Sequence, residues 1–394
     1  MKKIMAVNAG SSSLKFQLLE MPEEKLITTG IVERIGMKNS VFAISVNGKK
    51  QEEVLDIPDH AVAVSILLNK LIELKILASF DEISGVGHRV VHGGNKIAES
   101  LVLGDDEIAY LEEIVDLAPL HLIPNLTGIK AFKKVLPNVK HIGVFDTAFH
   151  HSMPEESYLY AVPYDWYERF QVRKYGFHGT SHKFVSARCA EIMGKKPEDC
   201  NIIIAHIGNG ASICAVKQGH SIDTSMGFTP LDGIPMGTRS GAIDPAIIEY
   251  MMNKKNKSVK EITNYLNKQS GYIGVSGISS DSRDLVAAAA AGNHRADLAI
   301  EVQAKRIVDY IASYYVYMGG ADAIVFTAGI GENAKTTRSN IINRLGALGI
   351  KMDEERNDCR GVERLISTDD SKVKVYVIPT NEEVMIARDT LALL

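Results

Sequence analysis

The residues of this chain most capable of chemistry suit the handling of negative charge. Arg89 stands in GVGHRVVHGG, beside apolar residues and a Gly-Gly turn, where a guanidinium can hold a small carboxylate bidentately. Arg239 lies in DTSMGFTPLDGIPMGTRSGAIDP, residues 223–245, a long run punctuated by Gly and Pro. An arginine held by such a loop suits a phosphoryl group in transfer. His178 sits in the glycine-flanked KYGFHGTSH, where an imidazole can donate to a developing anion. Asp146 ends the apolar run of HIGVFDTAFHHSMP. Ligand groups collect at such strand ends in α/β sheets, and Asp also caps turns there. In PTNEE, Thr380 and Glu383 fit a capping box, which leaves Glu382 as a carboxylate able to orient a water of Mg2+.

The stretch NAGSSSLKF poses a question of its own. Three serines, Ser11 to Ser13, follow Gly10 between an apolar run and an alternating one. They can be a linker, a nucleophile site, or a turn whose N–H and hydroxyl groups meet phosphate oxygens. Asn8 ends the first run with a side chain able to bond a water or a metal shell, and Lys15 adds positive charge in the second. The sequence has neither a GxxxxGK[ST] loop nor a GxSxG elbow. His88 and His92 have HxxxH spacing, but no third ligand or HExxH glutamate accompanies them, so zinc is not expected. HIGNGAS and the Gly-Ile-Gly of IVFTAGIGEN each follow a strand-like run, the second just ahead of a plausible helix. Glycine there lets a backbone approach a phosphate or a flat ring.

These residues need elements to hold them. Strand-like apolar runs recur at 4–7, 83–86, 141–145, 201–205, 323–327 and 373–378, with helical patterns at 61–77, 183–193 and 296–318. The alternation predicts an α/β architecture. If GVGHRVVHGG is a strand, His88, Val90 and His92 share one face and Arg89 and Val91 the other. IMAVNAGSSSLKFQLLE and IIIAHIGNGASICAVKQG follow one plan: strand, polar residue, glycine turn with serine, second strand. Hairpins with such turns are common, so the likeness is a hint of a duplicated domain.

The chain has 394 residues, 45% hydrophobic and 23% charged, an ordinary globular composition with length for two domains. A net charge of -4 offers no basic excess for nucleic acid or an anionic membrane. Cys189, Cys200, Cys214 and Cys359 lack CxxC spacing and read as free thiols in a reducing compartment. The apolar run after Lys2 and Lys3 is too short for a secretory signal, and no run approaches the ~20 residues of a membrane span. A cytoplasmic location is expected.

Nine segments, in order, resemble those of the acetate kinase (acetokinase) family: NAGSSSLKF, GHRVVHGG, FDTAFH, YGFHGTSH, HIGNGAS, DTSMGFTPLDG, GTRSG, GIGEN and PTNEE. They run along nearly the whole chain. The family belongs to the superfamily of acetate and sugar kinases, heat-shock chaperone ATPases and actin. The resemblance implies an α/β fold of two duplicated ribonuclease H-like (actin-like ATPase) domains, an active-site cleft between them, and a homodimer. Residues 1–149 with 381–394 would form an N-terminal acyl and phosphate domain completed by the C-terminal helix; 150–380 would bind the nucleotide. The implied reaction is reversible, direct in-line transfer of the ATP γ-phosphoryl group to acetate, giving acetyl phosphate and ADP, with Mg2+ or Mn2+. A propionate or other short-chain acyl kinase is the alternative within the family.

Carried onto this sequence, the family pattern gives Asn8 and Glu382 the Mg2+ and puts Lys15 and Ser12 near the phosphates. Arg89 would bind the acyl carboxylate with His121 nearby, and Asp146 would be the essential acid. His178 and Arg239 would stabilise the phosphoryl group in flight. The nucleotide would be held by His206, Ile207, Gly208, Asn209 and Gly210. Asp281, Ser282 and Arg283, with Gly329, Ile330, Gly331, Glu332 and Asn333, would surround adenosine. Val91, Leu120, Phe177 and Pro230 would enclose the methyl end of the acid. A branched Val91, where propionate kinases often have a smaller residue, favours acetate by the ~1–3 kcal/mol that a methylene is worth. At Ala242 the family usually carries a polar residue, often Asp, whose loop bond is missing here.

Such a transfer needs no strong general base, because a carboxylate is already ionised at pH 7. The work is to bring two anions together and neutralise the group in transit. Asp146 would orient an arginine or a metal-bound water rather than form an aspartyl-phosphate. A chaperone- or actin-like ATPase would have no use for Arg89 with His121 and is expected to carry a further segment. A sugar kinase needs a base for its hydroxyl acceptor.

Overall fold

A computed structural model describes residues 1–46 and 48–394. In chain order the elements begin with β1 (Lys2–Ala9), β2 (Ser13–Met21), β3 (Lys25–Glu33), β4 (Ser40–Val46), β5 (Lys49–Leu55), α1 (His60–Glu73), β6 (Ile83–Val90), β7 (Leu101–Val102), α2 (Asp105–Glu113), α3 (Pro119–Val135) and β8 (Lys140–Phe145). There follow α4 (Glu155–Tyr158), α5 (Tyr164–Phe170), α6 (Gly179–Ile192), β9 (Asn201–Ile207), β10 (Ala211–Lys217), β11 (His220–Thr224), α7 (Ala246–Lys255), α8 (Val259–Lys268), α9 (Gly271–Ser276), α10 (Ser282–Ala290) and α11 (His294–Met318). The last are β12 (Ala323–Thr327), α12 (Ala328–Asn333), α13 (Lys335–Ile342), β13 (Arg364–Leu365), β14 (Lys374–Val377) and α14 (Glu382–Ala392). They form two compact units, Met1–Phe149 with Asn381–Leu394, and His150–Thr380.

In the first unit an eight-stranded sheet runs β5-β4-β3-β2-β1-β6-β8-β7. β1 is central because Ile4 to Val7 is apolar on both faces, and all four residues are buried. β5, KKQEEVL, forms an edge whose charges discourage further pairing. On one face, Leu67, Leu68 and Leu71 of α1 and Phe132 of α3 pack with Met5, Leu18 and Val86. α14 lies against β6 so closely that a Cβ on Gly87 would stand 2.3 Å from Thr390 Oγ1. The second glycine of GVGH is therefore required by packing.

In the second unit a six-stranded sheet runs β11-β10-β9-β12-β14-β13. Ile202 to Ile207 of β9 and all of β12 are buried, as expected of central strands. The orders β3-β2-β1-β6-β8 and β11-β10-β9-β12-β14 share the same senses, two antiparallel steps and then two parallel ones. The two similar stretches of sequence are the hairpins β1–β2 and β9–β10, each at the same place in its sheet. The duplication is thus one of topology, as in the actin-like ATPase fold.

Two local expectations need correction. The strand in GVGHRVVHGG ends at Val90, so Val91 and His92 lie beyond it and do not alternate with Arg89. α14 is capped by Asn381, whose side chain accepts from Val384 N–H at 3.1 Å, not by a Thr380–Glu383 box. Thr380 instead gives its N–H to Glu332 and bonds Ser181 through its hydroxyl. The Gly-Ile-Gly stands ahead of a helix, α13, as expected, and is itself wound into the short α12.

Candidate active site

In the first unit the parallel strands β1, β6 and β8 end together, and polar residues gather at those ends, as ligand groups do in open α/β sheets. Arg89 is the last residue but one of β6, and Asp146 follows β8. Arg89 donates from Nε to Asp146 Oδ1 at 3.0 Å and from Nη2 to Oδ2 at 2.7 Å. Asp146 is only 2% exposed, and its N–H is held by the carbonyl of Val90. Glu382, the first residue of α14, stands 3.6 Å from Arg89 Nε. These carboxylates, Asp146 foremost, hold the guanidinium firmly charged by raising its pKa. Two of its five N–H donors are committed to Asp146, and the edge formed by Nη1 and the other side of Nη2 can still meet an anion end-on.

The serine turn is a tight hairpin and no linker. Gly10 N–H donates to Ser13 C=O at 2.8 Å, Ile35 N–H donates to Ser12 C=O at 3.0 Å, and His60 Nε2 meets Gly10 C=O at 2.8 Å. Asn8 pairs with Lys15 across the hairpin, and Lys15 is exposed. Ser12 is half-buried beside them. Among the oxygen donors here, Asp146 is engaged by Arg89. Asn8 and Glu382 remain, a sparse oxygen set that fits a hard cation keeping much of its water.

The HxxxH pair is structural. His141 donates from Nε2 to Leu136 C=O at 3.1 Å, so its Nδ1 accepts the Nε2–H of His88 at 3.0 Å. Burial lowers the pKa of both rings and keeps them neutral. His92 accepts Gly94 N–H through Nδ1. Among the described residues no three His, Cys, Asp or Glu side chains cluster as metal ligands. Of the acyl-pocket candidates in this unit, Val91 is half-buried, while Leu120 and His121 open α3, with Leu120 71% exposed. Phe177 and Pro230 belong to the second unit, the first buried and the second half-buried.

The second unit brings five separate sequence segments together. His178 is held at φ 58°, a left-handed conformation, at the N-terminus of α6. A Cβ at Gly210 would stand 3.5 Å from His178 Nε2 and 3.7 Å from Arg239 Nη1, so the two side chains converge on the turn after β9. A Cβ at Gly237 would fall 1.9 Å from Asn209 Oδ1 and 3.0 Å from Ser280 C=O, which brings the loop before Arg239 and the entry to α10 to the same turn. At Gly208 it would lie 3.7 Å from Ala328, the first residue of α12.

Within that cluster the tautomers follow from the bonds. His182 Nδ1 is buried without a partner among the described residues, and an orphan lone pair costs less than an orphan N–H. His182 is therefore protonated on Nε2 and donates to Ser212 Oγ at 2.8 Å. The Ser212 hydroxyl then donates to His178 Nδ1 at 2.9 Å, which leaves the proton of His178 on Nε2, toward Gly210. The ring of His178 also stacks on His206, with centroids 4.2 Å apart. His206 Nδ1 is 2.9 Å from Ser181 Oγ.

Arg239 is in the opposite condition to Arg89. It donates to Pro230 C=O at 3.3 Å and touches Met236 Sδ, and no carboxylate among the described residues pairs with it. Burial lowers its pKa, as expected for a cation without a counter-charge. Its loop is tied by backbone bonds: Met236 N–H to Arg239 C=O, Ala242 N–H to Gly233 C=O, and Ser240 N–H to Leu266 C=O. The loop is thus held without a polar side chain at Ala242.

The candidate nucleotide residues divide by their existing work. Asp281 caps α10 through Arg283 N–H and also holds the Arg283 guanidinium, with Ser282 the first helical residue. Glu332 accepts from Ala328 N–H at 2.7 Å and Thr380 N–H at 3.1 Å, so it shapes the turn. Gly331 C=O accepts from Arg338, and Asn333 bonds Gly329 C=O. A Cβ at Gly329 would meet nothing within 4 Å, so open space lies over that residue. Ile330 packs against a small cluster with Tyr272 and Leu285.

The profile of the acetokinase family matches residues 3–388. The chain belongs to the acetokinase family. It is 59% identical over 393 residues to the acetate kinase of Bacillus velezensis, with all of both chains covered. It resembles the crystal structure of the acetate kinase from Porphyromonas gingivalis, with a TM-score of 0.96, 45% identity and full coverage of both chains. It also resembles a propionate kinase from Francisella tularensis, with a TM-score of 0.94, 42% identity and the same coverage. Motif reading missed two residues. Ser212 is a polar residue in the otherwise apolar, buried run of β10, and Asn125 interrupts the apolar stripe Leu122, Leu126, Ile129 of α3. A polar residue on a buried face was the signal available in both.

Proposed function

We propose that this chain catalyses the reversible transfer of the γ-phosphoryl group of ATP to acetate. One carboxylate oxygen of acetate forms a bond to Pγ while the bond from Pγ to the β–γ bridging oxygen breaks, and that electron pair leaves with ADP. The observation that carries the reading is the contrast between the two arginines. Arg89 is oriented by Asp146 with one donor edge to spare, which suits a small carboxylate. Arg239 is half-buried without a carboxylate partner, so negative charge arriving at the transferring phosphoryl group is what it lacks. His178, with its proton on Nε2, is a second donor for the same group.

In this reading the first unit supplies the acyl residues Arg89, His121, Val91 and Leu120, with Lys15 and Ser12 toward the phosphates. The second supplies Phe177, Pro230, His178 and Arg239 and the nucleotide segments 206–210, 281–283 and 329–333. Asn8 and Glu382 would hold a divalent cation, Mg2+ or Mn2+, which neutralises phosphate charge when bound. Asp146 positions Arg89; with both oxygens engaged it is poorly placed as a phosphoryl acceptor, which favours direct transfer. We also infer a cytoplasmic homodimer. Hydroxamate trapping of acyl phosphate, with ATP, Mg2+ and a panel of short acids, tests the reading, with glycerol and glucose as control acceptors. Acetate should be the best acceptor; acyl phosphate from no acid, or phosphorylation of a control alcohol, overturns it.

A further inference from the structure

A carboxamide stands between the ends of β1 and β6. The two strands pair in parallel as far as Val7 and His88. In continued register Ala9 would face Val90, and the next ladder bond would run from Val91 N–H to Ala9 C=O. Instead, Asn125 of α3 accepts from Val91 N–H at 3.0 Å through Oδ1 and donates from Nδ2 to Ala9 C=O at 2.8 Å. The side-chain amide thus replaces a peptide group on both sides of a missing bond. Asn125 is 6% exposed. The helix reaches that depth because Gly128, almost one turn on, lies where a Cβ would stand 2.7 Å from Ala9 Cβ. On the far side of β6 the ladder stays closed: Arg89 pairs with Val144, and Asp146 N–H donates to Val90 C=O at 2.9 Å.

We propose that Asn125 is a positioning residue whose inserted amide parts β1 from β6 at their ends and sets the gap between Asn8 and Arg89. A closed ladder would keep the strands at their ordinary spacing of ~4.8 Å. With the amide between them, Asn8 on one strand end and Arg89 on the other are held further apart, and neither backbone group is left bare. The consequence for turnover rests on the acetate kinase reading: the phosphate side at Asn8 and the carboxylate side at Arg89 need separate places before they meet in line. The wedge itself rests only on the bonds.

Asn125→Asp and Asn125→Ala test it. The Asp side chain keeps an acceptor for Val91 N–H but can donate to Ala9 C=O only when protonated. At about pH 8 it should raise the KM for acetate and lower kcat/KM roughly ten- to a hundredfold. The deficit should shrink toward about pH 6, because a buried carboxyl protonates early. Formamide, which offers the same acceptor and donor, should partly rescue Asn125→Ala and leave the wild type unchanged. Hydrogen exchange of the peptide carrying Val91 should quicken in Asn125→Ala and slow again with formamide. This arm needs no turnover, so a wild type that makes no acyl phosphate would overturn the acetate reading while exchange still decides the wedge. The isosteric Asn125→Asp, handled at about pH 6, serves for exchange as well should Asn125→Ala not fold. Variants that lose melting temperature but keep wild-type KM, kcat, pH profile and Val91 exchange would overturn the proposal and leave Asn125 a purely structural amide.

Discussion

The guanidinium of Arg89 lies edge to edge with the carboxylate of Asp146, joined by bonds of 3.0 and 2.7 Å where β6 and β8 end side by side. Truncating one partner of such a buried charge pair costs about 2–5 kcal/mol. Asp146→Asn keeps the shape, removes the charge and points an amide N–H2 at the guanidinium. Its kcat/KM for acetate should fall roughly 10²–10³-fold, with much of the loss in KM because Arg89 is no longer aimed. Intact-mass analysis of wild-type protein after a single turnover with acetyl phosphate should show no covalent phosphate. A phosphate mapped to Asp146 would assign that residue the acceptor role instead.

Arg239 separates function from stability. A half-buried cation without a carboxylate partner does not stabilise the fold, because its desolvation goes uncompensated. Arg239→Met should therefore melt at the wild-type temperature or above it. Its kcat should fall by roughly 10³, the range in which arginines act on transferring phosphoryl groups. A large loss of melting temperature would show instead that the guanidinium holds the 223–245 loop through Pro230 C=O.

The fold was legible where each level of the sequence agreed. The runs at 4–7, 201–205 and 323–327 read as strands and lie in the central strands β1, β9 and β12, and the similar hairpins β1–β2 and β9–β10 sit at equivalent places in two sheets. Boundaries failed where two caps competed. Asn381 and Thr380 can each cap α14, and the choice fell to Asn381 because Glu332 and Ser181 hold Thr380 from far along the chain. The charged candidates stood out by type and spacing. Their states did not: nothing local tells that Arg89 is paired and Arg239 is not, since Asp146 lies 57 residues from Arg89. Ser212 and Asn125 act by touching residues distant in sequence, so only a polar residue on a buried face marked them.

Ser212 fixes a proton. With His182 orphaned at Nδ1, the hydroxyl of Ser212 is the link that leaves His178 protonated on Nε2. Ser212→Ala should lower kcat about tenfold, the order expected for one lost buried hydrogen bond, with KM for acetate little changed. Ser212→Thr, which keeps the hydroxyl, should recover most of it. Equal kcat in the Ala variant would mean that His178 does not depend on this link.

Buried neutral histidines set an acid limit. His150 donates to Phe177 C=O and accepts from Ser221, and burial pulls its pKa down to about 4. In the unfolded chain the ring charges below about pH 6.5. The unfolded state then binds the extra proton, so stability is full above about pH 6.5 and falls as the pH drops toward 4, by roughly 3 kcal/mol for this group. Burial lowers His88 and His182 in the same direction. Urea unfolding should give a lower midpoint at about pH 5 than at pH 7, and His150→Gln should flatten that dependence in part. A pH-independent midpoint over this range would mean that these rings stay accessible to protons.

Acid size should be decided by a few side chains, because a propionate kinase shares the fold at 42% identity. Val91 is the residue to change. Its backbone is fixed through Asn125, so trimming the side chain removes volume without moving Arg89 two residues before it. Val91→Ala removes two methyl groups, and propionate adds one carbon to acetate. A methylene is worth ~1–3 kcal/mol, so the ratio of kcat/KM for propionate over acetate should rise roughly ten- to a hundredfold. Acetate should lose little, since its carboxylate contacts are untouched. Both acids are to be measured in both proteins, with butyrate as the longer probe. A wild type that uses propionate as well as acetate, or an unchanged ratio in Val91→Ala, would remove Val91 from the acyl pocket and leave chain-length selection to Leu120, Phe177 or Pro230.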